Sequence, residues 1–219
     1  MAQVKLVYPA TGLVSPSSWG SHDSIKKMMA KIYSDYGTYI DFVAKESNLP
    51  KEMIASFIAV ESGGKPQAGA SGGITQGLMQ WNRTFAKATL ERELAQGRMT
   101  DAERNKLASF GIKFDANGKT RAITNADQLK PELNILIGTI TLGQLVDTDW
   151  GTEDGEIKLD RIIAVYNAGA YGDTGKKARS KTYKTPKALA GVVNSTTRGY
   201  INKILGLKGA LDSSKIKSV

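Results

Sequence analysis

The sequence contains no cysteine and only one histidine, and this scarcity limits the catalytic and metal sites that the protein can form. Without cysteine there are no disulfides and no thiolate metal ligands. His22 lies in a segment rich in serine and glycine, and no second histidine exists to share a catalytic or metal site with it. We therefore predict a protein that works without a metal or a cofactor.

Long apolar runs are also lacking. No stretch approaches the length of a membrane-spanning helix, and residues 1–20 contain no apolar run of signal-peptide length. The contents of hydrophobic residues (41%) and of charged residues (23%) are typical of a soluble globular protein. The 219 residues are sufficient for one sizeable domain, or for one domain with an extension.

Positive charge is in excess, with a formal net charge of +9. Such a protein is attracted to polyanions, which include nucleic acids, anionic membranes and bacterial walls that carry anionic polymers. The sequence lacks the interleaved aromatic and basic residues, and the recognition-helix pattern, of a nucleic-acid-binding protein. A non-enzymatic basic protein that binds nucleic acid or builds a virion is therefore the less favoured class.

Basic residues are densest in a segment that we interpret as a polar loop, Gly172 to Lys184. One interpretation is that they hold an anionic wall, and the other is that they form an ordinary solvated loop. The basic residues concerned are Lys176, Lys177, Arg179, Lys181 and Lys184.

The stretch from Ile54 to Trp81 carries the main candidate for catalysis, Glu61. Pro50 suits the start of a helix. Met53, Ile54, Phe57 and Ile58 then recur at helical spacing, and Glu61 falls on the same apolar stripe. The carboxylate either sits at a helix end in water, or is held in an apolar pocket where it stays protonated and can donate a proton.

The residues after Glu61 favour the catalytic interpretation. Ser62-Gly63-Gly64 ends the helix, and the glycines that follow suit the floor of an open groove. No Asp or Glu occurs between Glu61 and Glu91, so this segment offers Glu61 no second carboxylate as a partner.

Five short motifs follow one another along the chain. They are Glu61-Ser62, Gly77-Leu78-Met79-Gln80, Asn134-Ile135-Leu136-Ile137-Gly138, Ala164-Val165-Tyr166-Asn167-Ala168-Gly169 and Thr197-Arg198-Gly199-Tyr200-Ile201. In this order they resemble the motifs of the lytic transglycosylases that have the soluble-lytic-transglycosylase, or goose-lysozyme-like, catalytic domain. The resemblance covers the chain from about Tyr39 to Leu207. Most glycosidases use a second carboxylate, but one acid is sufficient if the substrate itself supplies the nucleophile.

The resemblance implies that Glu61 cleaves the bond between N-acetylmuramic acid and N-acetylglucosamine and leaves 1,6-anhydromuramic acid ends. It also implies that Tyr166 and Tyr200 line the groove, with the Tyr200 hydroxyl near Glu61, although both rings would equally suit a core. Gln80 and Asn167 either bind sugar or peptide or cap backbone groups. Ser62 either orients Glu61 or caps a backbone group.

A hydrolytic lysozyme acting on the same bond is the rival enzyme. It would need a base about 6.5–9.5 Å from the acid. The candidates lie in residues 83–126, which look like an insertion at the groove. They are Glu91, Glu93, Asp101, Glu103 and Asp115.

The predicted fold is mainly α, a lysozyme-like helical domain with a small β-hairpin element. We predict an N-terminal arm and short helix (1–38), the peptidoglycan-cleaving domain (39–212) and a basic tail (213–219). Helices are expected at 25–35, 39–47 and 131–146, another begins with a capping box at Thr100, and Ser195 or Thr196 caps the last. Asn117-Gly118 predicts the hairpin. The same turn resembles a calcium loop, but Lys119 and Arg121 stand where oxygen ligands would be needed.

Peptidoglycan glycan strands are the expected partner. Without a secretion signal, a wall enzyme must reach the cell wall in another way. The obvious possibility is that it is a phage lysis protein or virion protein. In that case the enzyme is held in the virion, or in the host cytoplasm before release, and the N-terminal arm could dock onto other virion proteins. A signal segment removed ahead of this sequence is the alternative.

Overall fold

The computed structural model describes residues 12–206 and 208–214. The predicted N-terminal arm is therefore described only from residue 12, and most of the basic tail lies outside the described residues. The chain divides into two compact units. We call Ile32–Gln144 the central unit, and Met1–Lys31 together with Leu145–Val219 the terminal unit.

The first helix, α1 (His22–Ser47), is one continuous helix. The prediction of two helices, at 25–35 and 39–47, was wrong at the expected break. Gly37 lies between them but does not end the helix, because the buried positions continue through it at helical spacing. These positions are Ile25, Met29, Ile32, Tyr36, Ile40 and Val43.

The central unit continues through short hairpins and helices. Its elements are α2 (Lys51–Ser62), β1 (Thr75–Gln76), β2 (Trp81–Asn82), α3 (Arg83–Ala95), α4 (Asp101–Ser109), α5 (Asn125–Gln128) and α6 (Pro131–Val146), of which α6 ends just beyond the unit. The predicted bounds of α6 are confirmed. The capping box at Thr100 is also confirmed, since its hydroxyl accepts from Glu103 N while the Glu103 carboxylate accepts from Thr100 N.

The terminal unit contains β3 (Thr152–Glu153), β4 (Glu156–Ile157), α7 (Leu159–Ala168), α8 (Asp173–Arg179), α9 (Pro186–Val192), α10 (Ser195–Leu205) and α11 (Ala210–Ser214). The segment predicted to be a basic loop thus contains a helix, α8. Its buried residues Thr174, Gly175 and Ala178 form one face of this helix, and the lysines occupy the other. Asn194, rather than Ser195 or Thr196, caps α10, and α11 follows it.

Helices dominate the described residues, and two short antiparallel strand pairs accompany them, which confirms the predicted fold class. The β structure lies elsewhere than expected. Asn117-Gly118 forms a tight turn closed by a single bridge between Phe114 and Thr120. The Asp115 carboxylate accepts from the N–H groups of Asn117 and Lys119 at 2.9 and 2.8 Å, so it serves its own turn.

Across residues 12–206 and 208–214, no cluster of three or more His, Cys, Asp and Glu side chains could hold a metal ion. None of the helices in that same part of the chain combines the length and apolarity needed to cross a membrane.

Candidate active site

Glu61 lies in the last turn of α2 and is half-buried. The preceding residues Met53–Ala59 are buried all round the helix, so the carboxylate emerges at the end of an apolar segment. Ser62 donates to Ile58 O at 2.9 Å and accepts from Gly64 N at 3.2 Å. Ser62 therefore caps the helix end beside the glutamate. Of the two roles considered for Ser62, this is the capping of a backbone group.

The chain must turn sharply after Glu61, and two glycines allow it. Gly63 ends α2 at φ 63° and donates to Ala59 O at 3.0 Å. Gly64 follows at φ 77°, and a Cβ there would lie 2.9 Å from Ile32 Cγ1. Its carbonyl accepts a hydrogen bond from the Tyr36 hydroxyl at 3.2 Å. The segment after the glutamate is thus held closely against α1.

Gln80 anchors the glycine-rich loop to the turn between β1 and β2. Its amide nitrogen donates to Ala68 O at 3.0 Å and to Gly77 O at 2.7 Å, and its amide oxygen accepts from Thr75 Oγ1 at 3.4 Å. Gly77 N also donates to Ala68 O at 2.8 Å. The nitrogen and the oxygen of the Gln80 amide therefore both form hydrogen bonds within the protein. Of the two roles considered for Gln80, this is the capping of backbone groups.

Asn134 on α6 supports the same turn through hydrogen bonds to its backbone. Its side-chain oxygen accepts from Met79 N at 2.7 Å, and its side-chain nitrogen donates to Gln76 O at 3.0 Å and to Gln128 O at 2.7 Å. The side chain is fully buried. At Gly77, a Cβ would lie 2.2 Å from Asn134 Nδ2, so only glycine allows this approach.

Sequence reasoning missed Gln128. This buried residue lies in the short helix α5 and donates through Nε2 to Trp81 O at 2.6 Å and to Ile74 O at 3.3 Å. It therefore supports both flanks of the turn between β1 and β2. A single glutamine in a polar segment carries no periodic or motif signal, and only the capping box formed by Thr124 and Asp127 just before it could have indicated a structured segment.

The remaining three candidate residues lie in the terminal unit. Tyr166 and Asn167 are half-buried in the last turn of α7, and Tyr200 is buried on α10. The Asn167 side-chain oxygen accepts from Thr197 Oγ1 at 2.8 Å, which links the end of α7 to the first turn of α10. The structure thus brings the two terminal motifs together through Asn167 and Thr197.

The insertion carboxylates considered as possible bases have local partners. Glu91 is bound by Lys87, Lys119 and the Thr120 N–H, and the bond from Lys87 contributes most to lowering its pKa to about 2. Glu93 binds Arg98 at 2.6 Å and Gln144 at 3.0 Å. Asp101 pairs with Arg104, and Glu103 belongs to the capping box. Each of these carboxylates thus holds insertion structure in place.

The fold and these sites define a helical, lysozyme-like domain with a half-buried glutamate beside a glycine-rich loop. The chain belongs to the family described as the Transglycosylase SLT domain, whose model matches residues 38–189. A comparison with curated proteins found no match. The family supports lytic transglycosylase activity on peptidoglycan in general.

Proposed function

We propose that the protein cleaves the β-1,4 bond between N-acetylmuramic acid and N-acetylglucosamine with Glu61 as its single acid and base. The observation that carries this proposal is the half-buried position of Glu61 at the end of the apolar helix α2, before a glycine-rich loop that has no other carboxylate. A carboxyl group that is partly shielded from water at the end of an apolar segment suits a proton donor.

In the first step, the Glu61 carboxylic acid donates its proton to the glycosidic oxygen, and the bond from that oxygen to C1 of the muramic acid breaks. The N-acetylglucosamine leaves with a free hydroxyl. The positive charge at C1 is stabilised by the N-acetyl group of the same muramic acid. Glu61 is then a carboxylate.

In the second step, the C6 hydroxyl of the muramic acid attacks C1, and Glu61 takes the hydroxyl proton. This closes the 1,6-anhydro ring and restores the carboxylic acid. The attack is intramolecular, so it gains from a high effective concentration and needs no second protein base. The insertion carboxylates form ion pairs and hydrogen bonds with neighbouring residues of the protein, and this supports the intramolecular attack over hydrolysis.

Five other residues are proposed to contact or position the substrate: Ser62, Gln80, Tyr166, Asn167 and Tyr200. Ser62 and Gln80 act by shaping the helix end and the loop, since their side chains bind backbone groups there. Tyr166, Asn167 and Tyr200 offer the hydroxyl and amide groups suited to sugar hydrogen bonds.

The decisive experiment digests purified peptidoglycan with the wild-type protein and with Glu61→Gln. We expect the variant to lose about 100- to 10,000-fold in rate while it keeps the wild-type circular dichroism spectrum. Glu52→Gln is the matched control, because Glu52 lies on the same helix and the substitution leaves its backbone carbonyl, which accepts from Ser56 Oγ at 2.7 Å, unchanged. Full activity of Glu61→Gln would remove Glu61 from the reaction.

Mass spectrometry of the digest identifies the products. We expect 1,6-anhydromuramic acid ends with few reducing ends. Mainly reducing muramic acid would instead identify a hydrolytic lysozyme, and the search for its base would begin with the insertion carboxylates.

A further inference from the structure

A pocket of about 690 Å³ opens within the terminal unit, among the end of α7, the helix α8 and the start of α10. This volume is sufficient for a small ligand. Its polar lining includes Asn167, Asp173, Thr174, Lys177 and Asn194, and Val192 and Val193 form an apolar wall. The mechanism proposed above uses only Asn167 from this set.

Two opposite charges in the pocket do not neutralise each other. Asp173 and Lys177 are separated by one helical turn, in the order that favours an ion pair. Within the part of the chain that the structure describes, Lys177 instead donates to Val192 O at 3.0 Å. One of its three N–H donors is thereby used, which keeps the ammonium at the pocket and leaves two donors for a ligand.

The neighbouring polar groups offer mainly donors. Asn194 donates to Thr174 Oγ1 at 3.2 Å and its oxygen accepts from Thr197 N, so the Thr174 hydroxyl proton remains available. The Asn167 oxygen accepts from Thr197, and its side-chain nitrogen remains for a ligand. The carboxylate of Asp173 is the one charged acceptor among the residues that line the pocket.

We propose that this pocket binds the stem peptide of peptidoglycan, with Lys177 on a peptide carboxylate and Asp173 on the free amine of its diamino acid. This inference rests on the proposed function. Neutral sugars would use the amides but neither charge. A peptide that carries both a carboxylate and an amine, together with alanine methyl groups, matches the two charges and the valine wall together.

The test uses the lactyl-tetrapeptide released from muropeptides by β-elimination, whose only amine is that of the diamino acid. Its binding is measured by isothermal titration calorimetry at low salt. Wild-type protein should bind it, and Lys177→Met and Asp173→Asn should each raise the Kd about tenfold, as expected for the loss of one charge-assisted hydrogen bond. Lys176→Met is the matched control, because it removes an equal charge from the adjacent exposed position outside the pocket.

A second readout uses only the wild-type protein and so does not depend on how the variants fold. Acetylating the peptide amine, or amidating its carboxylates, should weaken binding to the same degree as the variants. The proposal is overturned if wild-type protein does not bind the peptide, if blocking the charges has no effect, or if Lys176→Met weakens binding as much as Lys177→Met.

The two proposals can fail separately. A wild-type protein that cleaves peptidoglycan but ignores the lactyl-tetrapeptide contradicts only the peptide pocket. A wild-type protein that binds the peptide but produces no cleavage contradicts the proposed function. Glu61→Gln should bind the peptide with wild-type affinity while it fails to cleave.

Discussion

Asn134 accepts a hydrogen bond from the backbone N–H of Met79 at 2.7 Å. This bond joins two of the sequence motifs, because Met79 belongs to Gly77-Leu78-Met79-Gln80 and Asn134 begins Asn134-Ile135-Leu136-Ile137-Gly138. The same side chain donates to two further carbonyls, those of Gln76 and Gln128. A single amide therefore satisfies three backbone groups of the central unit in a site that water does not reach.

The first prediction concerns this amide. Asn134→Asp keeps the shape but loses both donors and places a carboxyl group against two carbonyl oxygens, so we expect a loss of about 2–4 kcal/mol in unfolding free energy. Urea denaturation at pH 7 measures it. Asn105→Ala, at an exposed position of α4, should change stability by less than about 0.5 kcal/mol. Equal stabilities for the two variants would show that the Asn134 bonds contribute nothing.

Two glycines of α6 should respond oppositely to the same substitution. A Cβ at Gly138 would lie 2.4 Å from Met79 Sδ and 2.8 Å from Met79 Cβ, whereas a Cβ at Gly143 meets nothing within 4 Å. Gly143→Ala should stabilise the protein by about 0.5–1 kcal/mol, because alanine is the better helix former. Gly138→Ala should destabilise it by about 1–3 kcal/mol through overpacking.

Thermal melts of the two variants provide the comparison. Because both changes add one methyl group to the same helix, any difference between them reports the contact with Met79 rather than helix propensity. A stabilised Gly138→Ala would mean that Met79 moves aside at little cost.

The two capping boxes of the central unit should have opposite pH dependence. Burial alone would raise the pKa of Asp127, but hydrogen bonds from Arg121, Thr124 and Lys130 lower it well below its usual range. At Glu103, burial raises the pKa and the nearby carboxylates of Glu46 and Glu93 add to this, against hydrogen bonds from Thr100. The difference follows from the cations Arg121 and Lys130, which pair with Asp127.

The sign for Asp127 follows from linkage. Its folded pKa is depressed, so its stabilisation is present above the unfolded pKa of about 3.9 and is lost as pH falls through that value toward the folded pKa. Asp127→Asn should therefore cost about 1–3 kcal/mol at pH 7 and less at pH 3. Urea denaturation at the two pH values tests this, and a cost that does not change with pH would contradict it.

For Glu103 the folded pKa is raised, so ionisation above the unfolded pKa of about 4.3 reduces stability as pH rises. Glu103→Gln removes that charge, and glutamine can still accept from Thr100 N in the capping box. The variant should be at least as stable as wild type at pH 7, and its advantage should disappear at pH 3. A variant that is less stable at pH 7 than at pH 3, relative to wild type, would contradict the raised pKa.

The predictable parts of the fold were those set by local patterns. The bounds of α6 follow from Pro131 and the apolar run after it, and the cap of α4 follows from Thr100 and Glu103. Contacts that are distant in sequence were not predictable. No local pattern shows that the Gln128 side chain donates to Trp81 O, or that the Gln80 side chain donates to Ala68 O. Both hydrogen bonds depend on how the glycine-rich loop folds back. The hairpin predicted at Asn117-Gly118 is reduced to a turn, because a single bridge, between Phe114 and Thr120, pairs the segments on its two sides.

The last prediction concerns the basic stretch from Lys176 to Lys184. The structure gives two of its lysines acidic partners: Lys181 lies 3.2 Å from Asp149, and Lys184 lies 3.4 Å from Glu153. Exposed pairs of this kind contribute little to stability, so replacing the lysines should leave the fold intact while it removes positive charge. The triple variant Lys176→Met, Lys181→Met, Lys184→Met should bind bacterial walls several-fold more weakly at low salt.

At about 1 M salt, where the screening length falls to roughly 3 Å, the variant and wild type should bind nearly equally. Sedimentation of the protein with purified walls measures both conditions. The matched control replaces three exposed lysines from elsewhere in the chain, Lys27, Lys45 and Lys113, and so removes the same formal charge. If the control triple weakens binding as much as the first, the attraction comes from net charge alone. A loss confined to the Lys176–Lys184 triple, and absent at high salt, would locate wall binding on this stretch.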